Sequence, residues 1–262
     1  MNNPKRETAA GTTPSQEGGA AAHYDTLLAE IYAWMVGDLE AATAAAQREL
    51  ASLGVLDATS GQRALDLGAG LGLHAVALVR MGWDVTAIDT SAPLVAALVE
   101  RAPTVRALTG DLVHAAAHVD GGFDLVICMG DTLAHLGSED DVELALAGAA
   151  SLLAPGGRLV LRFRDYVTRT RVGAERFVLV RADDARILTC CLDFEPRSVM
   201  VTDVVHERTE AGWSLRASTY RKLRLRREDV AASLRALGLE TALPDVSGAW
   251  LDVVGTRPRR AP

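Results

Sequence analysis

The pattern of hydrophobic and polar positions changes four times along this chain. From Tyr24 to about Leu53 the period is helical, with Leu27, Leu28, Ile31 and Met35 on one face. Gly37-Asp38 interrupts it, and Asp38 is placed to cap a second helix running through alanine-rich sequence to Leu50. Short apolar runs then alternate with helical segments. Ala64–Leu67, Asp84–Ile88, Val105–Leu108, Phe123–Met129 and Arg158–Phe163 read as strands, and Leu73–Met81, Ala92–Glu100 and Val142–Leu153 as the helices between them. Such alternation implies a parallel sheet covered on both faces. From Arg176 to Leu225 the helical period vanishes, and Asp-Asp, Glu-Pro-Arg and Glu-Ala-Gly turns separate four strand-like runs. That is an antiparallel meander, too long for a connection between strand and helix, and it reads as an inserted lid. A helix over Arg227–Leu237, stopped by Gly238, and two strands, the second near Trp250–Gly255, complete the pattern. The expected class is α/β. Residues 21–165 and 226–262 form the core with its N-terminal helical cover, and 166–225 form the β lid.

The most informative stretch is ALDLGAGLG, Ala64 to Gly72. An apolar strand reaches Asp66, then turns through Gly68, Gly70 and Gly72 into a helix. Glycine lets the backbone turn sharply and approach a ligand, and the free N–H groups of the helix start face it. A dinucleotide fingerprint would place its third glycine at Leu73, and here it falls one residue early. The variant resembles motif I of class I S-adenosylmethionine (SAM)-dependent methyltransferases, whose cofactor has no phosphate to cradle. The resemblance implies a Rossmann-like sheet with helices on both faces.

Ligands of open α/β sheets sit outside the carboxyl ends of the strands. There this chain carries Gly68–Gly72, then Asp89-Thr90-Ser91, then Asp111, then Met129-Gly130-Asp131-Thr132 with His135 a turn later, then Arg164-Asp165-Tyr166. Asp89 offers two acceptor oxygens to the ribose hydroxyls, and Asp111 one to the adenine amine. Either alone reads equally as a helix cap; in order at successive strand ends they read as ligand groups. Asp131 and His135 are candidate proton acceptors for an amine nucleophile, although His135 also suits a core or capping role. Tyr166 and Tyr220 either direct hydroxyls into the site or complete the core.

The segments IYAWMVGD (Ile31–Asp38), VICMGDTLAHL (Val126–Leu136) and LVLRFRDY (Leu159–Tyr166) resemble the glycine and glycine/sarcosine N-methyltransferases. By that resemblance Tyr24 and Tyr32 close over SAM, while Gly68, Asp89, Asp111, Leu112 and Met129 line it. With Asp66, Gly70, Gly72 and Thr90, these are the expected cofactor residues. The resemblance also puts Arg164 on a substrate carboxylate and Asp131 at the amine position. This chain departs from the family at Asp131 (asparagine there), Ala42 (arginine) and Tyr32 (tryptophan). A carboxylate at 131 binds an ammonium more strongly than an amide does, or else neutralises Arg164, so glycine is not carried over as the substrate.

The length of 262 residues suits one α/β domain with an insertion. A net charge of −7 disfavours a nucleic-acid partner. Arg162, Arg164, Arg169 and Arg171 cluster, as do Arg221 to Arg227, and most read as solvated strand faces. Cys128, Cys190 and Cys191 lack metal spacing and fit reduced thiols of a cytoplasmic protein. No run reaches membrane-spanning length, and residues 1–20 have the composition of a disordered tail. The expectation is a methyltransferase for a small polar acceptor, most simply on nitrogen, using no metal, with a homo-oligomer left open. Two alternatives remain: a metal-dependent O-methyltransferase using Asp131 and Asp165, and a SAM-binding regulator without catalysis. An NAD-dependent oxidoreductase is disfavoured, since no tyrosine has a lysine four residues on.

Overall fold

A computed structural model describes residues 27, 29–245 and 248–259. Tyr24, Leu28 and the expected tail over residues 1–20 lie outside the described residues. The chain runs through α1 (Ala29–Val36), α2 (Leu39–Ser52), β1 (Arg63–Leu67), α3 (Leu73–Arg80), β2 (Asp84–Asp89), α4 (Ala92–Arg101) and β3 (Arg106–Thr109). It continues with α5 (Ala115–His118), β4 (Phe123–Cys128), α6 (Glu139–Leu152) and β5 (Leu153–Arg164). Then come β6 (Phe177–Ala182), β7 (Arg186–Phe194), β8 (Ser198–Thr209), β9 (Gly212–Leu223), α7 (Arg227–Ala236), β10 (Glu240–Ala242) and β11 (Trp250–Thr256).

The larger sheet has the order β10-β11-β5-β4-β1-β2-β3. β1 to β5 are parallel, and β11 runs antiparallel to both β5 and β10. The chain steps outward from β1 through β2 to β3, then returns to β1's other side with β4. That reversal opens a crevice at the carboxyl ends of β1 and β4. Side chains alternate between faces: Leu65, Leu67, Val126 and Cys128 enter one core, while Ala64, Leu125 and Ile127 enter the other. Both faces are covered, which is why these strands read as unbroken apolar runs.

Local signals set most boundaries. Asp38 accepts from the amides of Glu40 and Ala41, capping α2 as expected. α6 starts three residues before its first periodic apolar position, because Ser138 accepts from the Asp141 amide and acidic residues fill the first turn. β5 starts at Leu153 rather than near Arg158, passing through Pro155-Gly156-Gly157 with a register shift against β4. Among the described residues no helix is long and apolar enough to cross a membrane.

The meander is a separate sheet of order β6-β7-β8-β9, antiparallel throughout. α1 is fastened to it. Leu27 and Ile31 pack on Leu188 and Val205, Glu30 pairs with Arg216 at 2.9 Å, and the Trp34 indole donates to Asp183 at 2.5 Å. Leu192, Val199, Val201 and Tyr220 join the same core as Phe163 and Leu133.

One arginine expected on a solvated face is buried. Arg162, 7% exposed, donates through Nε and Nη2 to Asp252, its cross-strand neighbour on β11, at 2.6 and 2.8 Å. It also pairs with Glu49 of α2, which meets His74 of α3 at 2.6 Å. A buried charge needs such partners, and strand alternation alone does not reveal which side of a doubly covered sheet is dry. Arg162→Leu should lower unfolding free energy by about 3–5 kcal/mol in urea titrations, because two carboxylates lose their cation. Replacing surface Arg80, paired with Glu40, should leave the midpoint almost unchanged.

Candidate active site

Two cavities meet in the crevice. One, of about 560 Å³, is bounded by the glycine turn and the ends of β2, β3 and β4. The other, of about 640 Å³, lies between the end of β5 and the inner face of the antiparallel sheet. They share Tyr32, Gly130, Asp131 and His135.

In the first lobe the turn has positive φ at Gly68 and Gly72. A Cβ on Gly68 would lie 2.2 Å from the Thr132 methyl, and one on Gly72 would lie 2.1 Å from Leu98 Cδ1. The turn is therefore packed against the β4 loop on one side and α4 on the other. Among the described residues Gly70 has only the Tyr32 hydroxyl, 3.9 Å away, near its missing Cβ. Asp89 is pinned by two amides: Gly70 donates to one oxygen at 2.7 Å and Ser91 to the other at 2.9 Å. Asp111 accepts from the Val113 amide at 2.9 Å while lining the lobe, so it caps a turn and faces the cavity at once. Gly68, Gly70, Thr90, Leu112 and Met129 line it as well.

Asp66 and Gly72 do not lie on the cavity wall, contrary to expectation. Gly72 begins α3 and serves its packing on Leu98. Asp66 is buried beneath the turn, with Oδ2 unpartnered among the described residues. Burial pushes its carboxyl up to about 6, opposed by the nearby His74 and reinforced by Asp89. Burial also raises the Tyr32 phenol above its ordinary value, with Asp89 adding to it.

The second lobe is organised by Asp131. Its Oδ2 accepts from Lys222 Nζ at 2.6 Å and from the Tyr166 hydroxyl at 2.5 Å, and its Oδ1 from the Arg164 amide at 3.2 Å. Burial alone would lift this carboxyl. The charges of Lys222 and His135 and the bonds from Lys222 and Tyr166 prevail and hold it at about 2. Burial and Asp131 push the Tyr166 phenol far above its usual range. The His135 ring meets Tyr220 edge-on at 5.4 Å.

Arg164 does not neutralise Asp131 as closely as its sequence position suggested. Its Nε stays 4.0 Å away, and the guanidinium stacks on Trp250 at 4.3 Å. The close cation is Lys222, which the sequence reading passed over. It lies two residues after Tyr220 on β9, and strand alternation puts both on one face. Asp165 is committed elsewhere, accepting from the Val167 and Thr168 amides and the Thr168 hydroxyl. It is thus no partner for Asp131 on a metal. Among the described residues no three His, Cys, Asp or Glu side chains are grouped to hold one.

The depressed Asp131 value sets a pH dependence. The folded value near 2 lies below about 3.9 for an unfolded aspartate, so the pair's stabilisation is complete above about pH 4. It fades as pH falls through the folded value. Asp131→Asn should cost about 2 kcal/mol at pH 6, and its deficit against the wild type should close toward pH 2. Urea titrations across that range read it directly.

Residues 64–157 match a family model described as a methyltransferase domain. A glycine/sarcosine N-methyltransferase of Aphanothece halophytica is 34% identical over 109 residues, 40% of this chain and 41% of that protein. The glycine N-methyltransferase of Homo sapiens is 32% identical over 170 residues, 57% of this chain and 56% of that protein. The chain thus spans about half the length of the curated relatives it matches. Among solved structures, SAM-bound CalS10 is an amino pentose methyltransferase from Micromonospora echinaspora involved in calicheamicin biosynthesis. It superposes with a TM-score of 0.67 at 24% identity, covering 87% of this chain and 95% of that one. The chain has the class I SAM-dependent methyltransferase fold and is related in sequence to the glycine and glycine/sarcosine N-methyltransferases.

Proposed function

We propose that this chain is a SAM-dependent methyltransferase acting on a small polar molecule at nitrogen. The observation that carries the reading is the pair of lobes joined at Asp131 and His135. One lobe presents a glycine turn and acid-ended strands; the other presents a buried, ionised carboxylate.

The first lobe fits the cofactor. Asp89, with one amide donating to each oxygen, lines the lobe, and its carboxylate is the acceptor for the ribose hydroxyls. Asp111 is the acceptor for the adenine amine, with Leu112, Met129 and Thr90 along the walls and Tyr32 above Gly70. Asp66 and Gly72 support the turn from behind. When bound, SAM supplies a methyl group already activated by its sulfonium, so the protein's share of the work is orientation. Holding a nucleophile in line is worth about 7–11 kcal/mol.

In the second lobe Asp131 stays ionised at any ordinary pH, which makes it an anchor for N–H groups rather than a base. An amine must shed a proton to expose its lone pair, and His135, at the junction of the lobes, or water takes that proton. Tyr166 and Lys222 fix the anchoring carboxylate, Arg164 and Trp250 flank its mouth, and Tyr220 backs His135. α1 and the antiparallel sheet are the cover that excludes water.

Calorimetry should find SAM or S-adenosylhomocysteine (SAH) binding and no detectable NAD(H). Asp89→Ala should weaken it by about 1.5–3 kcal/mol. Asp131→Asn should lower turnover of amines while SAM affinity stays nearly intact. Activity lost to chelation and restored by magnesium, or full activity in Asp131→Asn, would overturn the assignment.

A further inference from the structure

The second lobe is far larger than its polar chemistry requires. Asp131, Lys222, Tyr166 and His135 gather at one end and Arg164, Arg169 and Arg171 line the stretch beyond β5; the remaining wall is the β6–β8 part of the antiparallel sheet's inner face. Alternate residues of β7, namely Leu188, Leu192 and Phe194, point into it, with Val178 from β6 and Val201 from β8. Among the described residues α1 packs on this face at Leu188 and Val205 and adds Tyr32 and Met35 to the lining. Two groups interrupt the apolar wall, Cys190 and Asp203, and they satisfy one another, since Asp203 accepts from the Cys190 thiol. At about 640 Å³ the lobe lies in the range of cavities that enclose drug-sized ligands. Glycine held at Asp131 would leave that wall wet, at a cost proportional to the apolar area left exposed.

We infer that the acceptor is an amine carrying a sizeable apolar body, held by its nitrogen at Asp131 and by its hydrocarbon on the β6–β8 wall. This rests on the amine methyltransferase reading above and adds the acceptor's class. Glycine and sarcosine are then poor acceptors, because neither reaches the surface that supplies the binding energy. The carboxylate fixes the N–H of the acceptor, and the sheet selects what is attached to it.

The test is a homologous series of straight-chain amines (methylamine, butylamine, hexylamine and octylamine) titrated into full-length protein saturated with SAH. Full burial of a methylene is worth about fourfold in affinity. Affinity should therefore climb at least tenfold from butylamine to octylamine. In turnover with SAM, hexylamine should exceed glycine and sarcosine at least tenfold in kcat/KM. Val178→Asp should abolish the dependence on chain length while SAH affinity, which reports an intact fold, is unchanged. If that variant does not fold, the wild-type series decides alone. Affinity flat along the series, or glycine methylated as efficiently as hexylamine, overturns the inference. A flat series with tight SAH binding strikes this inference alone, whereas absent SAH binding strikes the methyltransferase reading itself.

Discussion

The ion pair between Asp131 and Lys222 is the contact on which the site depends. It joins the loop after β4 to the last strand of the insertion, at 2.6 Å and with both side chains largely out of water. Removing one partner would leave a bare charge in a dry place, so the pair constrains where β9 can lie. Tyr166 adds a bond from the chain just beyond β5. Three separate segments therefore converge on one carboxylate, and their convergence defines the boundary between the two lobes. The apolar contacts of Val201 and Tyr220 with the main core hold the sheet in the same place without specifying that point.

A second buried network works behind the first lobe. Asp252, Arg162, Glu49 and His74 link β11, through β5 and α2, to the helix that starts at the glycine turn. His74 lies close enough to Asp66 to oppose the rise of its carboxyl. The turn is thus supported by packing at Gly68 and Gly72 and by charge from beneath. Such rigidity suits a backbone that must approach a ligand closely without collapsing onto it.

The sheet, the glycine turn, the order of acid-ended strands and the antiparallel insertion were legible because each is written in local periodicity or in a short motif. Asp38 and Gly238 show how far one residue's chemistry carries, the first capping α2 and the second following the end of α7 in the left-handed region. What stayed hidden were partnerships across distant segments. Arg162 and Lys222 look like ordinary surface cations in a strand, and only tertiary structure shows that Asp252 and Asp131 wait opposite them. Asp66 and Gly72 sit in the motif yet serve the turn from behind, since alternation and helix geometry turn them away from the cavity. Asp165 and Asp131 end neighbouring strands, but a local turn claims the first. The second lobe's size was equally unreadable, because it arises from the gap between two sheets and not from any one of them.

We propose that the two lobes are donor and acceptor halves of one site, meeting at Asp131. A crystal structure with SAH bound tests it most directly. The account predicts the adenosyl group between Asp89 and Asp111, with the sulfur facing Asp131 and His135 across Gly130. The ligand lying instead along the antiparallel sheet, or its sulfur turned away from Asp131, would contradict it.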